Sequence, residues 1–162
     1  MSSLYQNLID RIRNELSDLV QVIERTQEGW SNVQKTPAKE RQAFVDSVAL
    51  NLHGFYSGLE RLFELIARQV DGSLPEGANW HRDLLQQMAQ DFPASRPAVI
   101  SQENAEILDE FRRFRHLVRN VYTINLSPTK MNGLLQILPV FWPQLRAELL
   151  AFANYLEALS GE

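Results

Sequence analysis

From Leu4 onward, apolar residues recur at spacings of three and four, through Leu8, Ile12, Leu16, Leu19 and Ile23, while Arg11, Asn14, Asp18 and Arg25 occupy the intervening face. That period predicts an amphipathic helix. Gly29 and Ser31 to Gln34 weaken the pattern. Thr36-Pro37 then offers an N-cap side chain followed by a proline at the first helical position, so a second helix is expected from there. Its apolar positions, from Phe44 through Val48, Leu52, Phe55, Leu59, Leu62, Phe63 and Ile66 to Val70, form a wider surface than those of the first helix. Such a surface predicts a core helix contacted from several sides.

The stretch from Asp71 to Asn79 holds two glycines and a proline, which ends the second helix in a loop. Asn79 is placed to cap a short third helix carrying Leu84, Leu85 and Met88. Asp91 to Pro97 is again rich in breakers, and Ser101 with Glu103 marks the start of a fourth helix. Asn125 to Pro128 interrupts it, and Ser127-Pro128 repeats the signal of a cap followed by proline. A last helix then extends to about Leu159, with Pro139 and Pro143 expected to kink or split its first half. No segment alternates as a strand does, and no long repeat is visible. The expectation is an all-α fold, one domain over residues 1–162: an antiparallel four-helix bundle with an additional short helix between the second and the fourth.

Composition narrows the chemistry. A chain of 162 residues, 44% hydrophobic and 22% charged, fits a globular domain with one core and argues against disorder or a membrane-spanning chain. The opening Met-Ser-Ser-Leu-Tyr-Gln-Asn lacks the basic start and apolar stretch of a signal peptide, which points to the cytoplasm and to no membrane partner. Zero cysteines exclude disulfide scaffolds, thiol nucleophiles and thiolate zinc sites. His53, His81 and His116 lie far apart without a metal-binding spacing, and no Gly-rich loop has a phosphate-cradling form, so neither a metal nor a cofactor is expected.

Charge is distributed unevenly. The net charge of −4 argues weakly against a whole-surface nucleic-acid binder, yet the basic residues are 13 Arg against 3 Lys. Four of those arginines fall between Phe111 and Tyr122 with no acid among them. With ~100° per residue and Phe114 at zero, Ile107, Phe111, Phe114, Val118 and Val121 fall in an arc of about 80°, the expected core face. Arg112, Arg115, His116, Arg119 and Tyr122 fall in an adjacent arc of about 120°. Like charges so spaced repel by a few tenths of a kcal/mol per pair, and no acid of that stripe compensates. Guanidiniums bind phosphate oxygens in two-point geometry, imidazole moves a proton near neutral pH, and a phenol stacks or hydrogen-bonds. The combination suits phosphodiester contact or cleavage. The competing reading is a solvated basic face, or one salt-bridged to acids such as Asp18, Glu60 or Glu64 on another helix.

The remaining candidates read as structure. Trp80 is expected to anchor the loop in the core, with His81 partly exposed beside it rather than in a cleft. His53 sits beside Gly54 and Gly58, which are expected to let another helix approach, and is read as a structural or interface residue. Ser127 and Thr129 near His116 make no triad, since no buried carboxylate partner is identifiable. Leu134, Leu135, Leu138, Val140, Phe141 and Trp142 are read as core rather than as a partner-binding surface.

Phe111-Arg-Arg-Phe-Arg-His-Leu-Val-Arg-Asn-Val-Tyr122, with Trp80-His-Arg-Asp-Leu-Leu85 upstream, resembles the HepT-like branch of the HEPN superfamily. The resemblance implies a HEPN-type helical bundle, often a homodimer, in a family where many members are metal-independent RNA-cleaving toxins paired with a nucleotidyltransferase-type antitoxin. It implies an active site formed where the motif helices of two subunits meet. The family's motif places its Arg at Arg115, its polar residue at His116 and its Tyr at Tyr122, while its His position falls on Asn120. Asn has no titratable group, so the proton-moving role would pass to His116, flanked by Arg112 one turn before and Arg119 one turn after. The resemblance thus implies Arg115, His116 and Arg119 as catalytic, and Arg112, Asn120 and Tyr122 as substrate-binding. Tyr122 is also the position to which silencing by adenylylation would carry over. The alternative is a non-catalytic interaction module whose same face binds a nucleotidyltransferase-type partner or a nucleotide.

Overall fold

Helix α1 (Gln6–Lys35) buries Leu8, Ile12, Leu16, Leu19 and Ile23, the stripe expected from its period. The computed structural model that shows this describes residues 4–120 and 128–160, with the side chains of Arg119, Asn120, Lys130 and Ser160 outside the description. α1 does not weaken at Gly29 but continues to Lys35, because Val33 is buried and Gly29 lies against Val48 of the next helix. Thr36 caps no second helix. Its hydroxyl instead donates back to the Asn32 carbonyl at 2.5 Å, a turn joins Pro37 to Glu40, and α2 (Arg41–Ile66) starts four residues later than Pro37 predicts. A threonine at a helix end has this backbone acceptor within reach, and it competes with the capping role.

α2 is the core helix expected: it packs against α1, against α3 (Trp80–Met88) and against α4 (Gln102–Asn120). Its Phe55 ring meets Phe111 of α4 at 5.4 Å between centroids, and Phe141 and Trp142 of α5 (Pro128–Ser160) at 6.4 and 5.8 Å. These four buried aromatics are the centre of the bundle; each contributes on the order of 2–3 kcal/mol through burial. α2 runs into a π-helical turn, Ala67–Asp71, which Gly72 ends with φ of 73°. That left-handed conformation suits a residue without Cβ.

α3 follows Asn79 as expected, although the Asn79 side chain makes no capping bond. For α4 the capping expectation holds, since Ser101 Oγ accepts the Asn104 amide at 3.2 Å, and Glu148 of α5 accepts both the Ser101 amide and the Asn104 side chain. α5 is one uninterrupted helix with Pro139 and Pro143 inside it, so the expected split does not occur. Both prolines lie on the exposed side, and the surrounding Leu135, Leu138, Phe141, Trp142 and Leu145 are anchored in the core. Leu134 is buried with them, whereas Val140 is 66% exposed and is the one member of that cluster outside the core. The architecture is therefore all-α, four principal helices with α3 inserted between α2 and α4; among the described residues no helix is long and apolar enough to cross a membrane.

Candidate functional site

The basic face of α4 is not where its apolar stripe places it. Phe111 and Phe114 are buried and Ile107 and Val118 pack against the core, but Asn104, Ala105, Leu108 and Arg115 are buried too. The buried arc is thus rotated by roughly 70° from the arc of Ile107, Phe111, Phe114, Val118 and Val121 that the sequence marks as the core face. The reason is tertiary: α4 touches α2, α3 and α5, and the flank beneath α2 and α3 includes Arg115.

At that flank Arg115 Nη1 donates to Glu60 Oε1 of α2 at 2.5 Å, and His81 Nδ1 of α3 lies 2.8 Å from the other carboxylate oxygen. One buried carboxylate therefore ties together three helices, and it gives Arg115 the cross-helix partner of the competing sequence reading. The imidazole stacks on Trp80 at 3.7 Å between ring centroids, and the Arg115 guanidinium lies 6.0 Å from the Tyr56 ring centre. Burial, with the Glu60 carboxylate adding to it, holds the Tyr56 phenol far above its ordinary value, while Arg112 and Arg115 oppose that shift. Tyr56 is consequently a neutral packing group and not a base.

The expectation that no acid compensates the arginine stripe is corrected as well. Asp109, one turn before, accepts from Arg112 Nε at 2.7 Å and lies 3.4 Å from Arg113 Nε. At ~100° per residue Asp109 lies just beyond the edge of the stripe, and helical spacing of three and four brings it within reach of Arg112 and Arg113.

Arg112, Arg115 and His116 line one cavity of about 520 Å³ between α4 and the start of α3. The opposite wall is Gly77 to Arg82, so His81 faces the cavity and Trp80 lines it, half-buried. Trp80 packs half-buried against the core and His81 is partly exposed, as expected; what the expectation missed is that both line a cavity. The Trp-His pair at the head of a short helix was the available signal, but only Glu60 explains why His81 turns inward. Arg119 and Asn120 end α4, their side chains outside the description, and Tyr122 lies outside the described residues. His53 sits half-buried on α2, away from the cavity wall.

Two imidazoles and three guanidiniums, from Arg82, Arg112 and Arg115, converge on a concavity backed by Glu60 and Asp109. Such a set binds the oxygens of a phosphate ester and can exchange protons with it. A second depression, lined by Asp71, Ser73, Asp83 and Gln87, carries no cation on its wall, and its Asp71 is already engaged by the buried Arg96. Among the described residues no three His, Asp or Glu side chains are grouped as metal ligands.

A family model described as HepT-like protein matches residues 47–156, more than half of the chain and the whole cavity wall, so the chain belongs to the HepT-like family. No curated protein and no solved structure gives a significant match.

Proposed function

With membership of the HepT-like family as the premise, we propose that this protein is the toxin-side component of a HEPN-type toxin-antitoxin pair, a metal-independent endoribonuclease acting as a homodimer through the Arg/His face of α4. The observation that carries this reading is the convergence of Arg112, Arg115 and His116 on one cavity. On this reading Arg112, on the cavity wall, and Arg119 contact phosphate oxygens and offset the charge that develops in the transition state. His116 takes the proton of the attacking 2′-hydroxyl. Arg115, fixed by Glu60, presents its remaining donors in a set orientation. Asn120 and Tyr122 belong to the substrate contacts, Tyr122 is the residue that a nucleotidyltransferase-type antitoxin would modify, and the setting is cytoplasmic.

The test is cleavage of a mixed RNA pool in the presence of EDTA, wild type against Arg112→Ala/His116→Ala. Arg115→Ala is a poor control, because it strands the buried Glu60 carboxylate and is expected to destabilise the bundle. Cleavage by the wild type alone supports the reading; equal cleavage by both proteins, or by neither, sinks it. One observation favours the alternative of a non-catalytic module: Arg112 and Arg115 are each already paired with an acid. On that reading the protein binds a nucleotide or its partner through the same cavity and leaves RNA intact.

A further inference from the structure

Resting on the RNA-cleaving reading, we propose that His81 is a second proton-transfer residue of the cavity, delivering the proton to the departing 5′ oxygen while Glu60 holds its ring. Transesterification of RNA moves two protons, one off the 2′-hydroxyl and one onto the 5′ oxygen, and a single imidazole on α4 serves one of them. The position where the family resemblance expects a further His holds Asn120, which cannot titrate. His81 comes to the same cavity from a different helix.

The geometry assigns the ring its role. Nδ1 lies 2.8 Å from Glu60 Oε2, and a carboxylate at that distance accepts the Nδ1 proton in both charge states of the ring. The proton that comes and goes is therefore the one on Nε2. Stacking on Trp80 at 3.7 Å fixes the ring plane, and the side chain is 29% exposed, open to the cavity without being free to rotate in solvent. The titratable and charged groups around it are Glu60 of α2, Arg82 of its own helix, and Arg112, Arg115 and His116 of α4. Glu60 also carries Arg115, so one carboxylate positions a phosphate-binding group and a proton donor together.

The step balances as follows in atoms and protons. The O2′–P bond forms as the P–O5′ bond breaks, the 2′-hydroxyl proton passes to His116, and O5′ takes the proton of His81 Nε2. The products are a 2′,3′-cyclic phosphate and a 5′-hydroxyl, and the two imidazoles regain their starting states through water.

The test compares an RNA oligonucleotide with the same strand carrying a bridging 5′-sulfur at the cleaved linkage, where the thiolate leaves without a proton. His81→Asn is expected to cleave the ordinary strand roughly 100-fold or more slowly and the sulfur strand at near the wild-type rate. His116→Asn should be slow on both, and thermal melts establish that each variant is folded. With the ordinary strand, the alkaline fall of the wild-type rate should disappear in His81→Asn. Equal loss on the two strands, or no loss on either, overturns the role of His81 and leaves the ribonuclease reading standing. Failure of the wild type to cleave either strand overturns both.

Discussion

Arg115 on α4 donates to Glu60 on α2 across 2.5 Å, with the two side chains only 10% and 7% exposed. Two charges removed from water together cost much of what their attraction returns, but one left alone is far worse. Glu60→Ala should therefore lower the unfolding free energy by about 3–5 kcal/mol. Adding Arg115→Met to Glu60→Ala should recover part of that loss, because the stranded guanidinium is gone. Urea denaturation of the three proteins gives the numbers, and a double variant less stable than Glu60→Ala would show that the stranded guanidinium is not the source of the loss.

Arg96 is the second buried cation. Its guanidinium donates to both Asp71 oxygens at 2.6 and 2.9 Å, and to the carbonyls of Gln87, Gln90 and Pro97, each at 3.0 Å. Lysine cannot reproduce that fork. Arg96→Lys should cost about 3–5 kcal/mol, whereas Arg13→Lys, at the exposed pair with Glu157, should change stability by about 1 kcal/mol or less. Parallel chemical melts decide it; similar losses at the two positions would contradict the burial argument.

Two helical glycines should respond oppositely to alanine. A Cβ at Gly54 meets nothing within 4 Å, so Gly54→Ala should stabilise by about 0.5–1 kcal/mol through helix propensity. A Cβ at Gly29 would stand 2.9 Å from Val48 Cγ2, whose β-branched side chain has little freedom to turn away, so Gly29→Ala should destabilise. Melting temperatures moving the same way in both variants would refute the close approach of α1 to α2.

The raised Tyr56 phenol makes a claim about alkaline pH. Burial and the Glu60 carboxylate favour its protonated form in the fold, whereas in the unfolded chain it ionises near its ordinary value of 10.0. A folded pKa above the unfolded one contributes stability that is complete below about pH 10 and is lost as the pH rises further. Stability should fall as the pH rises above about 10, and more steeply in the wild type than in Tyr56→Phe. Identical slopes in the two proteins would mean that Tyr56 ionises in the fold as it does in the unfolded chain.

Residue spacing alone determined the helices, their order and most of the core, because amphipathic period and breakers are local properties. It also determined that Arg112, Arg115 and His116 share one side of α4, since that follows from the helical repeat. Boundaries were less legible: Thr36 had two backbone acceptors to choose between, and two prolines on the exposed side of a well-anchored helix did not break it. What only the tertiary structure decided is which charges pair across helices. Glu60 and His81 are 21 residues apart on different helices, and Arg115 is 55 residues from Glu60, so nothing in their local sequence predicts a shared carboxylate. Packing α4 against three neighbours covered a flank that carries Arg115 and Asn104 beside Leu108, and burial then required the Arg115 charge to find a partner.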